Sequence, residues 1–317
     1  MNAIDWLLDS DPAIRWQVMR DLTDASPAEI AAERARVPRQ GLGAEILARQ
    51  QPDGSWRNDG APVWLTTLFT MQMLRASGID PADLAVKAAT ARLQSGLRWN
   101  DQGGCWELRP PETGGNTFFE GEVEPCINGG ALAVGAYFGH PVETLAYRLV
   151  AEQLEDGGWN CEAPNSSRSS FHTTICVLEG LLEYQRAVRS APEITAVIQR
   201  GEQYLLQRAL YRRLSTGEVA NPEFLQFAFP PRYHYDVLRA LDYLRAAGFQ
   251  PDARIADAVR VVESKRQADG RWLLDASYDA TPATLLRESV GGQSRWNTLR
   301  AVRVLRWYER RGFEPAT

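Results

Sequence analysis

The heptapeptide QQPDGSW at residues 50–56 decides the fold, because the chain repeats it. It returns as QLEDGGW at residues 153–159 and, in a shortened form, as RQADGRW at residues 266–272. A weaker relative, NDQGGCW, occupies residues 100–106. In each copy an amphipathic pattern ends in a turn that Asp or Gly can adopt, and a Trp ring then covers apolar surface beside the helix end. The sequence therefore predicts a repeat protein.

The segments between these turns carry the periodicity of helices. Apolar residues recur at spacings of three and four in LAVKAATARLQSG (84–96), VETLAYRLVAEQL (142–154), ITAVIQRGEQYLLQRAL (194–210) and RIADAVRVVESKRQ (254–267). Alternating runs of Val, Ile and Thr, which predict strands, are nearly absent. The predicted fold class is all-α.

A second repeated set follows the turns. Its members are WLTTLFTMQML from Trp64, PCINGGALAVGAY from Pro125, FHTTICVLEGL from Phe171, YHYDVLRALDYL from Tyr233, RWNTLRAVRVL from Arg295 and RWQVMRDL from Arg15. The equivalent positions in this alignment are Trp16, Leu65, Cys126, His172, His234 and Trp296. Six helical hairpins in series, with outer and inner helices alternating, predict a closed α/α barrel in a single domain spanning residues 1–317.

Composition and charge exclude several kinds of protein. The chain has 317 residues, of which 44% are hydrophobic and 24% charged, as in a soluble globular protein. A formal net charge of −5 gives no reason to expect a nucleic acid partner. No apolar run is as long as a membrane span, and the acidic N-terminus does not resemble a signal peptide. The four cysteines form no CxxC pair, so we expect reduced thiols and a cytoplasmic location.

The turn and hairpin repeats together resemble the terpenoid cyclase and protein prenyltransferase superfamily. The Q-x-x-D-G-x-W repeats are its squalene cyclase-like feature, and they cover nearly the whole chain, with residues 205–229 the least regular. The resemblance implies an (α/α)6 toroid. It also implies an enzyme that binds an isoprenoid or similarly apolar small molecule in the barrel centre.

One resemblance within the superfamily implies zinc. GEVEPCINGG (121–130) is similar to the Asp-x-Cys motif of prenyltransferase β subunits, and SSFHTTICVLEGL resembles their His-bearing segment. It implies a catalytic zinc held by Glu124, Cys126 and His172, with an open fourth position for a thiol or water. Glu replaces the family's Asp, Pro125 stands between two ligands, and a partner subunit is possible but not indicated. From the residues alone, His172 could equally be a helix cap or a core residue.

His234 shares the register of His172 and has no counterpart in the family pattern. It could close the zinc site as a fourth ligand, act as a base or contact the substrate. Cys161, after the turn tryptophan, and Cys176, within a helical pattern, are expected to be structural.

A second resemblance, to squalene-hopene cyclases, implies a metal-independent reaction. Those enzymes protonate an alkene with the middle Asp of an Asp-x-Asp-Asp motif, and residues 122–125 align Glu124 with that acid but replace the last Asp by Pro. A third hypothesis is a non-catalytic barrel that binds a lipid or a protein, with a structural zinc.

Arginines and aromatic residues near the predicted inner-helix starts are candidate substrate contacts. They are Arg168, Arg232, Arg295, Phe171, Tyr233 and Trp296. Arginines could hold a diphosphate or carboxylate, or pair with acids between repeats. The aromatic rings could line an apolar pocket, or simply fill the core.

Overall fold

The computed structural model describes residues 2–100, 107–188, 192–278 and 286–310, and these residues are mainly helical. The α-helices are α1 Ala3–Leu8, α2 Pro12–Leu22, α3 Pro27–Arg34, α4 Gly41–Ala48, α5 Val63–Ala76, α6 Leu84–Gly96, α7 Pro125–Tyr137, α8 Glu143–Ala151, α9 Phe171–Val188, α10 Pro192–Leu206, α11 Val237–Ala246, α12 Ala256–Ser264 and α13 Arg295–Glu309. This content confirms the all-α prediction, whereas the closed six-hairpin barrel stays a prediction.

The strands in the described ranges are two residues long. β1 (Arg98–Trp99) pairs antiparallel with both β2 (Leu108–Arg109) and β3 (Asn116–Thr117), and β4 (Trp272–Leu273) pairs with β5 (Gln293–Ser294). Short 3₁₀ helices span Pro111–Thr113, Phe118–Glu120, Pro222–Leu225 and Ala253–Ile255. None of the helices in the described part of the chain is long and apolar enough to cross a membrane.

The contacts between residues divide the chain into two compact units. The first unit contains Met1–Glu33, Gln203–Tyr278 and Arg287–Thr317, and the second contains Arg34–Glu202 and Asp279–Leu286. Two copies of the repeated turn lie in the second unit and one in the first.

The turns at residues 50–56, 153–159 and 266–272 have the same local geometry. Their tryptophans are buried, and each indole Nε1 donates to the carbonyl ten residues earlier, at 2.8, 2.7 and 2.7 Å for Trp56, Trp159 and Trp272. The backbone N–H of each tryptophan donates to a threonine hydroxyl, at 3.2, 3.1 and 3.0 Å. The acceptors are Thr67, Thr174 and Thr298. The fourth, weaker copy cannot be compared, because residues 101–106 lie outside the described ranges.

The first residue of the turn explains why the motif prefers glutamine. The Nε2 of Gln50 donates to the carbonyl four residues later and to that of Ala89 in α6, at 3.0 and 2.8 Å. Gln153 makes the equivalent bonds, with Val197 of α10 as the second acceptor, at 2.7 and 2.9 Å. One amide group thus closes the turn and ties it to a later helix. In the third copy Arg266 occupies this position.

In the second unit α7 and α9 pack with their backbones in contact at two glycines. A Cβ added at Gly129 would lie 2.4 Å from the carbonyl oxygen of Cys176, and one added at Gly180 would lie 2.5 Å from the carbonyl oxygen of Gly129. Cβ atoms do not approach oxygens so closely, so only glycine allows this separation of the two helices. The backbone contact couples α7 and α9 directly.

The predicted register of the inner helices holds for part of the set. Cys126, His172 and Trp296 are each the second residue of their helix, α7, α9 and α13. Trp16 instead lies in the interior of α2. His234 was also placed wrongly at a helix start, since α11 begins three residues later. The reason is that the Asp236 side chain accepts the backbone N–H of Arg239 and so caps the helix.

The first unit buries a cluster of charged groups. Arg303 on α13 donates to Gln17 at 3.0 Å and lies 3.3 Å from a carboxylate oxygen of Asp21 and 3.1 Å from one of Asp242. Burial opposes ionisation of Asp242, but Arg303 and Arg245 outweigh it and hold the pKa of Asp242 below its usual value. These groups form a buried ionic network in the core of the first unit.

Candidate metal centre at the start of α7

The turn after Trp159 is bound to the start of α9. The N–H of Ser170 donates to the carbonyl of Trp159 at 2.8 Å, next to the bond between Trp159 and Thr174. The chain therefore leaves Trp159 beside the first turn of α9, and the Sγ of Cys161 lies 3.4 Å from the Oγ1 of Thr173. Cys161, two positions after the motif tryptophan, therefore lies beside the start of α9.

Three potential metal ligands converge there. One ligand atom each from Glu124, Cys126 and Cys161 lies within 4.8 Å of the other two, and all three side chains are half-buried. The thiol of Cys126 donates to Oε2 of Glu124 at 3.5 Å. The group joins the residue before α7, the second residue of α7 and the turn after Trp159.

The two sulfur atoms of this group are not equivalent. The hydrogen bond with Cys161, together with burial, raises the pKa of the Cys126 thiol. A hydrogen bond between the two sulfurs, and further hydrogen bonds from Thr173 and the Cys126 backbone N–H, lower the pKa of Cys161, although burial opposes this. Glu124 precedes α7 without a side-chain cap, so the Cys161 sulfur accepts from one of the free N–H groups of the first turn. Cys161 is therefore the more readily ionised thiol.

Glu122 is a buried acid beside this group. Its Oε1 accepts the backbone N–H of Glu124 at 2.7 Å, and its side chain is 5% exposed. Burial raises the pKa of Glu122, although the N–H groups of Val123 and Glu124 partly oppose this. Its Oε2 is buried and has no hydrogen-bond partner among the described residues. Burial therefore makes this carboxyl group harder to ionise than a solvent-exposed glutamate.

Asn128 and Arg148 hold the backbone that carries these acids. Asn128, inside α7, accepts the N–H of Glu122 at 2.8 Å and donates to its carbonyl at 3.0 Å. Arg148 of α8 donates to the carbonyls of Glu122 and Val123. The segment before α7 is thus fixed from two helices.

His172 is not one of the three converging residues. It is half-buried at the second position of α9, and the third potential ligand atom belongs to Cys161, which is expected to be structural. The sequence predicts metal ligands at helix starts, whereas Cys161 lies in a turn. The signal that could have found it is its spacing of two residues from a motif tryptophan that is bonded to α9.

His234 belongs to the first unit and is not part of this group. Its ring stacks on those of Tyr233 and Tyr278, with centroids 4.1 and 3.5 Å apart. The structure thus places His234 in an aromatic stack, and its roles as a base, ligand or substrate contact stay predictions.

The other predicted contacts occupy different environments. Arg168 is exposed, Phe171 is half-buried, and Arg232 is buried with a left-handed φ of 54°. The guanidinium of Arg295 lies 4.3 Å from the centre of the Trp6 ring, and Trp296 is buried.

Trp296 stacks on Phe229 at 4.3 Å, which fits the core-packing alternative for this ring. Arg15, the first residue of the repeated segment RWQVMRDL, pairs with Glu33. The proposed substrate contacts of the other residues stay predictions.

Comparison with solved structures finds similarity to the type II terpene cyclase MstE from Scytonema. A variant of MstE in complex with merosterolic acid A, its product, has a TM-score of 0.47 and 16% identity over 95% of this chain and 87% of that chain. A variant with its substrate geranylgeranyl dihydroxybenzoate has a TM-score of 0.45 and 17% identity, over 93% and 86%. Apo MstE has 0.46 and 16%, over 93% and 87%. No protein-family model and no curated protein matches the chain.

Proposed function

We propose that the protein is a zinc-dependent enzyme of the prenyltransferase and terpenoid cyclase type, acting on an isoprenoid or similarly apolar substrate. Glu124, Cys126 and Cys161 hold the metal. The observation that carries the proposal is the convergence of these three ligand atoms within 4.8 Å.

The donor set and its spacing fit zinc. Two thiolates and one carboxylate are ligands that zinc takes, and three protein ligands leave an open position in a tetrahedral site. With Zn–S and Zn–O bonds of about 2.3 and 2.0 Å, tetrahedral sulfur and oxygen ligands lie about 3.5 Å apart. The observed separation between Cys126 Sγ and Glu124 Oε2 is 3.5 Å. Two zinc-bound sulfurs lie about 3.8 Å apart, so the remaining separations need only small side-chain movements.

When bound, the metal would activate a thiol or a water molecule at the open position. The chain itself prepares the site. The backbone N–H of Cys126, at the start of α7, favours an ionised Cys161, and Asn128 and Arg148 fix the backbone that leads to Glu124. An anionic substrate group would be held by arginines among Arg168, Arg232 and Arg295, as the sequence predicts.

Metal content measured by elemental mass spectrometry on tag-free protein tests this assignment. We expect about one zinc per chain in the wild type and none after Cys126→Ser with Cys161→Ser, because a single carboxylate does not hold zinc. Cys176→Ser is the matched control, since Cys176 is buried in α9 and is not one of the three ligands. A wild type that takes up no zinc when zinc is supplied would refute the proposal.

Zinc binding by His172→Ala tests whether His172 occupies the fourth coordination position of the metal. Unchanged zinc affinity means that His172 is not a ligand and that the fourth position is open to substrate. Weaker zinc binding makes His172 a fourth ligand, and with the fourth position closed the site is structural, as in the hypothesis of a non-catalytic binding barrel.

A second candidate, a metal-independent cyclase, is favoured by Glu122. An acid that protonates an alkene must be neutral and shielded from water, and Glu122 is buried with a raised pKa, whereas Glu124 is half-buried. Glu122 is therefore a better candidate than Glu124 for the acid that protonates the alkene.

Turnover of a prenylated probe distinguishes a zinc-dependent enzyme from a metal-independent cyclase. Geranylgeranyl dihydroxybenzoate, the compound bound in MstE, is a suitable probe. A zinc enzyme loses turnover on chelation and regains it with zinc. A cyclase keeps turnover after chelation and loses it in Glu122→Gln, which retains the shape of the side chain.

A further inference from the structure

Cys126, at the start of α7, and Cys161, in the turn after Trp159, form a pair of close thiols. The Sγ atoms of Cys126 and Cys161 lie within 4.8 Å of each other and share a hydrogen bond. A disulfide requires an S–S distance of about 2.05 Å, so bond formation needs the two sulfurs to approach by less than about 3 Å.

The two sides of the pair differ in their freedom to move. Cys126 is fixed on α7, which packs backbone to backbone against α9. Cys161 begins a turn over residues 161–165, of which residues 162–165 are exposed. The approach of the sulfurs can therefore come from this surface turn, without any movement of the helices.

We propose that Cys161 is an oxidative modification site, at which hydroperoxides produce a reversible disulfide with Cys126. The proposal goes beyond the proposed enzyme function and does not depend on it, although both concern the same sulfur atoms.

The surroundings assign a different role to each sulfur. Cys161 begins a turn whose next four residues are exposed, whereas Cys126 lies on α7, which is held against α9. Both side chains are partly exposed, so a small peroxide can reach them. Because Cys161 lies on the surface turn, it is the attacking sulfur, and Cys126 is the resolving thiol beside it.

The reaction balances in two steps. The Cys161 sulfur attacks one oxygen of the hydroperoxide, the O–O bond breaks, and sulfenic acid and one molecule of alcohol or water are produced. The Cys126 sulfur then attacks the sulfenic sulfur, the S–S bond forms, and the departing hydroxide takes the Cys126 proton and leaves as water. The two sulfurs lose two electrons in total and the peroxide gains them. A dithiol reductant reverses the change.

Disulfide formation and the proposed zinc binding exclude each other, because the disulfide consumes both thiolates. Oxidation would then release the metal, and zinc would protect both cysteines from peroxide.

The test uses the full chain, freed of metal by a chelator and treated with hydrogen peroxide. We expect intact mass spectrometry to show a loss of about 2 Da, reversed by dithiothreitol. Free thiols should fall from the four of the sequence to two. Peptide mapping should join the peptides that contain Cys126 and Cys161. No mass loss, or a crosslink between other cysteines, would overturn the proposal.

Three variants test the roles. Cys126→Ser should stop at sulfenic acid on Cys161, which dimedone traps, whereas Cys161→Ser should react with neither peroxide nor dimedone at Cys126 on the same timescale. Cys176→Ser, the control, should form the disulfide at the wild-type rate. Dimedone labelling of Cys126 instead of Cys161 would refute the assigned order.

The outcome is separable from that of the zinc experiment. A protein that binds no zinc but forms the disulfide refutes the zinc proposal and supports the modification site. A protein that binds zinc but forms no disulfide after chelation gives the opposite result.

Discussion

Replacing Thr174 with valine tests the bond that ties the turn after Trp159 to α9. Thr174 Oγ1 accepts the backbone N–H of Trp159 at 3.1 Å, and both residues are 0% exposed. Valine has nearly the same shape as threonine but offers no acceptor. The substitution therefore leaves the Trp159 N–H buried without a partner.

The structure sets the expected size of the effect. A buried polar group that loses its partner costs about 1–3 kcal/mol of folding free energy. In a domain of about 150–250 residues, 1 kcal/mol lowers the melting temperature by about 2–4 °C. We therefore expect Thr174→Val to lower the melting temperature by at least about 2 °C. The turn that carries Cys161 should also become more accessible, because it loses one of its bonds to α9.

Thr70→Val is a matched control in the same unit. Thr70 is a helical threonine, 2% exposed, and its Oγ1 has no hydrogen-bond partner among the described residues. Removing an unpartnered hydroxyl should leave stability unchanged or increase it. The assay is thermal and urea unfolding followed by circular dichroism. Equal effects of Thr174→Val and Thr70→Val on stability would refute the reasoning, because the hydrogen bond to Trp159 would then contribute nothing to the free energy of folding.

Two further predictions concern packing and charge. Gly129→Ala should destabilise the protein by about 1–3 kcal/mol, because the new Cβ meets the Cys176 carbonyl oxygen at 2.4 Å; unchanged urea unfolding would contradict the close approach of α7 and α9. Burial raises the folded-state pKa of Asp242, but its ion pairs with Arg303 and Arg245 outweigh burial and lower it. These ion pairs therefore stabilise the folded protein fully above about pH 4. Their contribution is lost as the pH falls through the lowered folded-state pKa. In urea titrations from neutral to acid pH, Asp242→Asn should show a smaller acid loss than the wild type; parallel curves would count against this account.

The repeated turns are predictable from sequence because their chemistry is local. Asp and Gly determine the turn, and the tryptophan that follows reaches the same carbonyl ten residues back in all three copies. The 13-residue pattern at residues 84–96 likewise coincides with α6, because Asp83 caps its start by accepting the N–H of Ala85.

The candidate site was only partly predictable, because it combines local and distant positions. Glu124 and Cys126 adjoin in sequence, and their proximity follows from the start of α7. Cys161 comes close only because Trp159 is bonded to α9 while α9 contacts α7 through glycines, and neither contact has a sequence period. The register of His234 failed for a similar reason, since a single capping Asp236 moved the helix start.

The hydrogen bond between the tryptophan N–H and the threonine hydroxyl is constant, whereas the number of residues between the two partners varies. The partners are 11, 15 and 26 residues apart in the three copies, yet the bond lengths differ by only 0.2 Å, from 3.0 to 3.2 Å. By loop-closure entropy alone, lengthening such a loop from 11 to 26 residues costs only about 0.8 kcal/mol.

These loops are therefore where the chain can gain sequence at little cost to folding. A peptide tag or a foreign recognition loop inserted after Trp56 should leave the three turns intact. Over evolutionary time, the same loops can accept new side chains while the helices stay unchanged.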